Sequence, residues 1–108
     1  MPGFEFSPRA AEDVKDIVRY TKGRWGLEQA RRYRQELELG LQKLSLSPNL
    51  GRNREDIAST IRSFRVGSHI AFYKADKDRI VVIRVLHSSM DVERAFQRQA
   101  ERSEERDR

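Results

Sequence analysis

Apolar residues recur at helical spacing in the first half of the chain and alternate with polar residues in the second half. Residues 3–6, GFEF, favour a short first strand, and Ser7 followed by Pro8 is typical of a helix start. A serine hydroxyl can cap a helix, and proline suits the first helical position because no N–H partner is needed there. The stripe that predicts the first helix consists of Ala10, Ala11, Val14, Ile17, Val18 and Thr21.

A second amphipathic helix follows after a short break. Gly23 and Gly26 lie on either side of Trp25 and predict the connection between the helices. Two helices joined this tightly are expected to pack as an antiparallel hairpin. Trp25 is expected to plug the junction between hairpin and sheet, the alternative being an exposed contact residue. The second stripe consists of Ala30, Tyr33, Leu37, Leu41 and Leu44, and Ser47–Pro48 ends this helix.

Three strands are predicted after a polar loop at residues 48–60, and they span about 61–66, 69–74 and 80–87. Gly67 and the serine after it are a two-residue hairpin signal, which fixes the register of the first two strands. The predicted cross-strand pairs are Val66 with His69, Phe64 with Ala71, and Arg62 with Tyr73. The order β-αα-βββ predicts an α+β domain with a largely antiparallel three-stranded sheet.

The helical hairpin can cover only one face of this sheet, yet both faces carry large apolar residues. Leaving such side chains exposed forgoes roughly 1.5–3 kcal/mol of burial each, so an uncovered apolar face indicates an interaction site. The alternative is that Val92 and Phe96 fold back over it. The residues expected on this face are Arg65, Ile70, Phe72, Val82, Arg84 and Leu86.

The C-terminal part of the chain changes character. A short helix is expected to begin after Asp91, and residues 98–108 carry four basic and four acidic side chains, which predicts a disordered tail. The length of 108 residues favours a single domain, which we place at residues 1–97.

Composition and charge narrow the possible functions. The chain is 37% apolar and 36% charged, with a net charge of +5. Residues 61–87 hold six basic and two acidic side chains, so a charge of +4 falls on the predicted sheet and favours an acidic partner, either nucleic acid or an acidic protein segment. Cysteine is absent, which excludes disulfides and zinc–cysteine sites and fits a reducing cytosol. No apolar run is long enough to span a membrane, and no signal peptide is expected.

Candidate catalytic chemistry is sparse. His69 and His87 are the only histidines, with no third ligand at metal-binding spacing, so no metal and no cofactor is expected. His69 is expected to be structural. His87 ends the last strand and could act as a general base if Ser88, Ser89 or Asp91 converged with it on a substrate. Glycine-rich phosphate loops, helix-turn-helix signatures and paired catalytic carboxylates are absent from the sequence.

Four segments taken in order resemble the ParE branch of the RelE/ParE toxin superfamily. They are FSPRAAEDVKDIVRYT, SPNLGRNRED, IRSFRVGSHIAFYK and IVVIRVLHSSMD, and together they cover residues 4 to about 96. The resemblance implies a cytoplasmic, non-enzymatic toxin that inhibits DNA gyrase, through its A subunit, and is neutralised by a ParD-like antitoxin. Neither membrane association nor sequence-specific DNA binding is expected.

The resemblance also directs the site predictions. The six residues of the uncovered face, Arg65, Ile70, Phe72, Val82, Arg84 and Leu86, are expected to contact the antitoxin, because a segment that folds on binding could supply apolar anchors and acidic groups. The expected gyrase contacts are His87, Ser88, Met90, Asp91 and Phe96.

The sister branch of the superfamily contains ribosome-dependent mRNA endonucleases, which form the alternative function. Those enzymes resemble this chain in fold but carry basic residues on the open face of the sheet and a C-terminal tyrosine or histidine. Here the comparable strand positions are Ile61, Ser63 and Ile70, and no tyrosine or histidine follows His87. Too few proton carriers therefore remain for acid–base catalysis at a 2′-hydroxyl.

Overall fold

The computed structural model describes residues 3–92 and 94–96. Its elements, in chain order, are β1 (Phe4–Phe6), α1 (Pro8–Trp25), α2 (Leu27–Leu46), a 3-10 turn (Pro48–Leu50), β2 (Arg52–Asn53), β3 (Arg62–Val66), β4 (His69–Asp76) and β5 (Arg79–His87). Residues 92 and 94–96 are helical. The predicted α+β fold is confirmed. The predicted tail and the rest of the C-terminal helix lie outside the described residues, and the domain boundary at residue 97 stays a prediction.

The two helices begin and end largely where the sequence indicates. The Ser7 hydroxyl accepts a hydrogen bond from the Ala10 N–H at 3.1 Å and so caps α1. Gly26 separates the helices with φ of +96°, a conformation that glycine adopts without steric cost. Gly23 does not break the helix as expected, since α1 continues to Trp25. One residue with positive φ, Gly26, is therefore enough to reverse the direction of the chain between the two helices.

The sheet has five strands in the order β1-β5-β4-β3-β2. The predicted three antiparallel strands form its centre, and the predicted pairs Val66–His69, Phe64–Ala71 and Arg62–Tyr73 are confirmed. β1 adds to β5 in parallel, and β2 adds to β3 as an antiparallel edge. The sequence did not predict β2, because a two-residue strand in a polar loop has no detectable periodicity.

A β-bulge in β5 decides which side chains face the helices. Phe72 of β4 pairs with Arg84, but the next residue, Tyr73, pairs with Val82, so Ile83 is one extra residue in β5. An extra residue shifts the alternation of side chains on one strand relative to its neighbour. Val82 therefore enters the core under the helices, and Ile83 packs on the opposite face.

The main core lies between the helical hairpin and one face of the sheet. Its buried residues come from both helices and from β4 and β5: Ala10, Val14, Leu41, Leu44, Ala71, Tyr73, Ile80, Val82 and Val85. The Tyr73 hydroxyl fixes the segment after α2, since it donates to the Pro48 carbonyl at 2.6 Å and accepts from the Gly51 N–H at 3.0 Å. A Cβ on Gly51 would overlap the Tyr73 hydroxyl oxygen, so only glycine fits there.

Candidate functional site

The face of the sheet opposite the helices is covered by the chain itself. Ile61, Phe72 and Leu86 form a buried cluster there, with exposures of 5%, 0% and 3%. The residues packed against it come from the loop before β3, from the sheet and from the C-terminal helix: Ile57, Ala58, Ile70, Ile83, Val92, Ala95 and Phe96. The expected uncovered face is therefore wrong for Phe72 and Leu86, and the alternative of a C-terminal segment folded over it describes the structure.

Aromatic contacts hold this cover in place. The rings of Phe72 and Phe96 meet edge to face with centroids 5.2 Å apart. The Arg54 guanidinium lies 5.3 Å from the Phe72 ring centroid and donates to both Asp56 carboxylate oxygens, at 3.0 and 2.9 Å. Such aromatic and cation–π contacts stabilise the cover beyond the burial of apolar area alone. They favour the state in which this face of the sheet is covered.

Arg84 lies on the helix side of the sheet, so its expected place on the opposite face is also wrong. Its Nε and Nη2 atoms donate to the Asp13 carboxylate at 2.8 and 3.2 Å, and the Val85 N–H donates to the same carboxylate at 3.0 Å. Both side chains of the ion pair are less than a tenth exposed. The bulge at Ile83 causes this placement, because it turns Arg84 towards α1.

Val82 is the second residue whose expected face the bulge changes. It is fully buried against Tyr73 and the helices, on the side where a partner lying on the opposite face cannot reach it. Asp13, in contrast, was missed by the sequence reasoning although a signal was present. It lies within the apolar stripe of α1, beside Ala10 and Val14, and a carboxylate at such a position needs a buried partner.

Arg65 and Ile70 remain accessible on the edge of the covered face. They are cross-strand partners, with Arg65 exposed and Ile70 half-buried. The Arg65 Nε donates to the Gly67 carbonyl at 3.1 Å, which leaves the rest of its guanidinium directed to solvent or to a partner. Of the six residues predicted to contact an antitoxin, these two can do so without rearrangement.

Both histidines belong to a polar cluster at the end of the sheet that carries the β3–β4 turn. His69 and His87 are cross-strand partners with ring centroids 5.3 Å apart. The Tyr33 hydroxyl accepts from the Ser68 N–H at 3.0 Å and contacts the His69 Nδ1 at 2.5 Å, so we assign the tyrosine as donor to this nitrogen. The cluster therefore joins α2 to β4 and β5.

Burial disfavours the charged forms in this cluster. It lowers the pKa of His69, and the neighbouring His87 lowers it further because two imidazolium groups repel each other. Burial likewise raises the pKa of Tyr33, against the opposing effect of the Ser68 hydrogen bond. A neutral His69 that accepts from Tyr33 fits the structural role expected for it.

The turn after β5 is exposed and does not converge on a single reacting atom. The Ser89 N–H donates to the His87 Nδ1 at 3.1 Å, and its hydroxyl lies 2.7 Å from the same atom. Asp91 accepts instead from the Arg94 N–H at 3.2 Å and caps the C-terminal helix. The side chain of Met90 is 48% exposed. Of the residues predicted to contact gyrase, Phe96 is half-buried against Phe72, and Ser88 is exposed.

In residues 3–92 and 94–96, no group of three or more histidine, aspartate or glutamate side chains is placed to hold a metal ion. The same part of the chain contains no helix long and apolar enough to cross a membrane.

Trp25 is not the plug that the sequence suggests. It is 65% exposed at the end of the helical hairpin, so the alternative, an exposed contact residue, describes its position. The sequence contained a sign of this, since glycines on both sides leave few neighbouring side chains to bury an indole.

Solved structures of toxin–antitoxin proteins share this fold, among them the following two. A chain of the chromosomal ParDE toxin–antitoxin system from P. aeruginosa superposes with a TM-score of 0.69 at 19% identity, over 81% of this chain and 96% of that chain. A chain of the toxin–antitoxin complex RelBE2 from Mycobacterium tuberculosis superposes with a TM-score of 0.58 at 21% identity, over 82% and 93% of the two chains. At these identities the likeness establishes the fold.

Sequence relatives establish the family. Toxin ParE1 of Caulobacter vibrioides is 37% identical over 91 residues, which span 84% of this chain and 94% of that protein. Toxin ParE1 of Mycobacterium tuberculosis is 36% identical over 89 residues, 82% of this chain and 91% of that protein. Residues 4–92 match the family described as the ParE toxin of the type II toxin–antitoxin system parDE. The chain therefore belongs to the ParE family of type II toxins.

Proposed function

We propose that this toxin inhibits DNA gyrase by binding it, through the A subunit, and that a ParD-like antitoxin neutralises it in the cytoplasm. The match of residues 4–92 to the ParE toxin family carries this proposal. The solved relative from P. aeruginosa is named as a ParDE system, which supports an antitoxin of the ParD type.

The placement of charged and titratable groups favours a binding mechanism over catalysis. Asp13 takes up the Arg84 guanidinium in the core, so this arginine cannot stabilise a phosphate transition state. The Nδ1 atoms of His69 and His87 are engaged by Tyr33 and Ser89 within the chain. Inhibition by surface contact requires none of these groups to react.

The antitoxin surface that we propose starts at the exposed edge of the covered face. An acidic group of the antitoxin would pair with Arg65, and an apolar side chain would pack on Ile70. To reach Phe72 and Leu86, the antitoxin must take the place of Phe96 and its neighbours. Val82 and Arg84 leave the proposed surface, since both are buried on the helix side of the sheet.

The gyrase surface that we propose is the turn after β5 and the residues that follow it. Ser88, Met90 and Asp91 project from the end of the sheet, next to His87. Phe96 links this segment to the antitoxin surface because it contacts Phe72. An antitoxin that displaces Phe96 would also disturb the turn, which would explain neutralisation without direct competition.

Two reactions run in parallel test the proposal. Purified toxin is added to a gyrase supercoiling reaction and to a translation reaction, each with and without a ParD-like antitoxin. We expect loss of supercoiling with intact mRNA, and its recovery when antitoxin is present. A Met90→Ala variant should inhibit supercoiling more weakly than the wild type. Leu39→Ala, on the outer face of α2, is the control, because Leu39 is also an exposed apolar side chain, and its inhibition should be unchanged.

The second candidate function is that of a ribosome-dependent mRNA endonuclease. The observation in its favour is the cluster of Tyr33, His69 and His87, which brings three proton carriers together near the exposed Arg65. Codon-positioned mRNA cleavage that is lost in His87→Ala, together with normal supercoiling, would establish this function and refute gyrase inhibition.

A further inference from the structure

The end of the helical hairpin exposes aromatic rings beside cationic side chains. Trp25 and Tyr20 are 65% and 68% exposed, and Leu27 is 48% exposed. The Arg24 guanidinium lies 5.5 Å from the Trp25 ring centroid, and Tyr20 lies one helical turn before Arg24. We call Tyr20, Lys22, Gly23, Arg24, Trp25 and Leu27 the hairpin tip.

The charge of this region is strongly positive. Residues 19–32 contain five basic side chains and one acidic side chain, hence a charge of +4. Arg19 and Arg32 lie near carboxylates of Asp16 and Glu28, at 3.7 and 3.0 Å. Within the described part of the chain, Lys22 and Arg24 have no ion-pair partner. Unpaired cations beside exposed rings are complementary to an anionic partner that has flat apolar surfaces.

Gly23 has no packing role that would explain it. A Cβ at this position would meet no atom within 4 Å, although glycine inside a helix costs stability relative to alanine. The absence of a side chain leaves the helix backbone bare between Lys22 and Arg24, two residues before Trp25. A bare backbone of this kind permits the close approach of a ligand.

We propose that the hairpin tip binds single-stranded nucleic acid without sequence preference. A base would stack on Trp25 or Tyr20, and the phosphates would pair with Lys22 and Arg24, which is the combination that sequence-independent single-strand binding uses. An acidic protein segment would satisfy the cations but would leave the rings without stacking partners. The inference does not rest on gyrase inhibition, because the toxin alone should bind.

The full-length toxin is titrated with a fluorescein-labelled 20-nucleotide oligo(dT), and binding is followed by anisotropy at two salt concentrations. Trp25 is the only tryptophan in the chain, so quenching of its emission reports directly on stacking. Trp25→Ala should weaken binding by about 5- to 150-fold, the range for the loss of one stacked base. Gly23→Ala should weaken binding while leaving the fold intact.

Charge reversal separates a specific contact from general attraction. The double variant Lys22→Glu/Arg24→Glu should lower affinity strongly and reduce the salt dependence by about 0.7 in slope for each lost phosphate contact. The matched control is Lys74→Glu/Lys77→Glu, which makes the same charge change on two exposed lysines at the β4–β5 turn, far from the hairpin tip. It should retain most of the affinity.

Three outcomes would overturn the proposal. Equal affinity of the wild type and of Trp25→Ala for oligo(dT) would show that no base stacks on Trp25. Polyaspartate binding with the same dependence on Trp25 would identify an acidic protein segment as the partner. Quenching or a blue shift with anionic phosphatidylserine vesicles, in the absence of oligo(dT) binding, would identify a membrane surface.

Discussion

Asp13 and Arg84 form a buried ion pair that joins α1 to β5 across 71 residues of sequence, with 2.8 Å between the Arg84 Nε and an Asp13 carboxylate oxygen. The same carboxylate accepts the Val85 N–H at 3.0 Å. Three donors thus satisfy one buried acid at the position where the bulge at Ile83 turns the strand. The pair therefore stabilises the arrangement in which the bulge turns Arg84 towards α1.

Breaking this pair should be costly. Asp13→Asn leaves the Arg84 charge buried and uncompensated, so we expect the free energy of unfolding to fall by about 3–5 kcal/mol. Urea denaturation measures it. Glu5→Gln is the control, because the exposed Glu5–Arg79 pair, with 3.6 Å between its charged atoms, contributes at most about 1 kcal/mol. The double variant Asp13→Leu/Arg84→Met should recover part of the loss, because no buried charge remains, although the Val85 N–H loses its acceptor. A double variant no more stable than Asp13→Asn would contradict the view that the uncompensated Arg84 charge causes the loss.

Alanine substitutions at two glycines should change the stability of the fold in opposite directions. Gly51→Ala places a Cβ against the Tyr73 hydroxyl and should destabilise the fold by about 1–3 kcal/mol through overpacking. Gly23→Ala meets no atom and should stabilise it by about 0.5–1 kcal/mol, because alanine restricts the unfolded chain and favours helix. Thermal melts followed by circular dichroism distinguish these results. Destabilisation by both would contradict the assignment of α1 through Gly23.

Stability should decline on mild acidification because of His69. Its pKa is lowered in the folded state, so below about pH 6.5 the unfolded chain binds a proton that the folded chain resists. The free energy of unfolding should therefore fall as the pH drops through that value. His69→Asn removes the titrating group, and its loss of stability between pH 7.5 and 5.5 should be smaller than that of the wild type. Identical pH profiles would assign the effect to other groups.

The free energy of unfolding should also fall at alkaline pH, because Tyr33 and Tyr73 lose their protons more readily in the unfolded chain. Burial raises the pKa of both Tyr33 and Tyr73 above the usual value of about 10, so the unfolded chain loses the protons first. The contribution is complete below pH 10 and is lost as the pH rises beyond it. Tyr33→Phe should flatten the profile above pH 10, as measured by chemical denaturation at each pH.

The C-terminal cover should oppose antitoxin binding if the proposed antitoxin surface is correct. Phe96→Ala removes the ring that meets Phe72 and should lower the free energy of unfolding by about 1–2 kcal/mol, less than a fully buried aromatic would. A weaker cover costs less to displace, so the same variant should bind antitoxin more tightly in isothermal titration. Weaker binding would instead make Phe96 a direct contact.

The sequence by itself determined the elements and much of their pairing. Ser7–Pro8, the two apolar stripes and the Gly67–Ser68 turn act through neighbouring residues, so their effect can be deduced without knowing the rest of the molecule. The register from Arg62–Tyr73 to Val66–His69 followed from the turn alone. The ordered segments also carried the family resemblance.

Only the tertiary structure decided which residues face outward. The bulge at Ile83 has no local signature, yet one extra residue moved Val82 and Arg84 to the helix side. The burial of Phe72 likewise depends on Phe96, 24 positions later in the chain. Trp25 was expected at the junction of the hairpin and the sheet, yet it is 65% exposed at the end of the hairpin. A bulge and a covering segment arise from contacts between distant parts of the chain, and the periodicity of a single strand cannot reveal either of them.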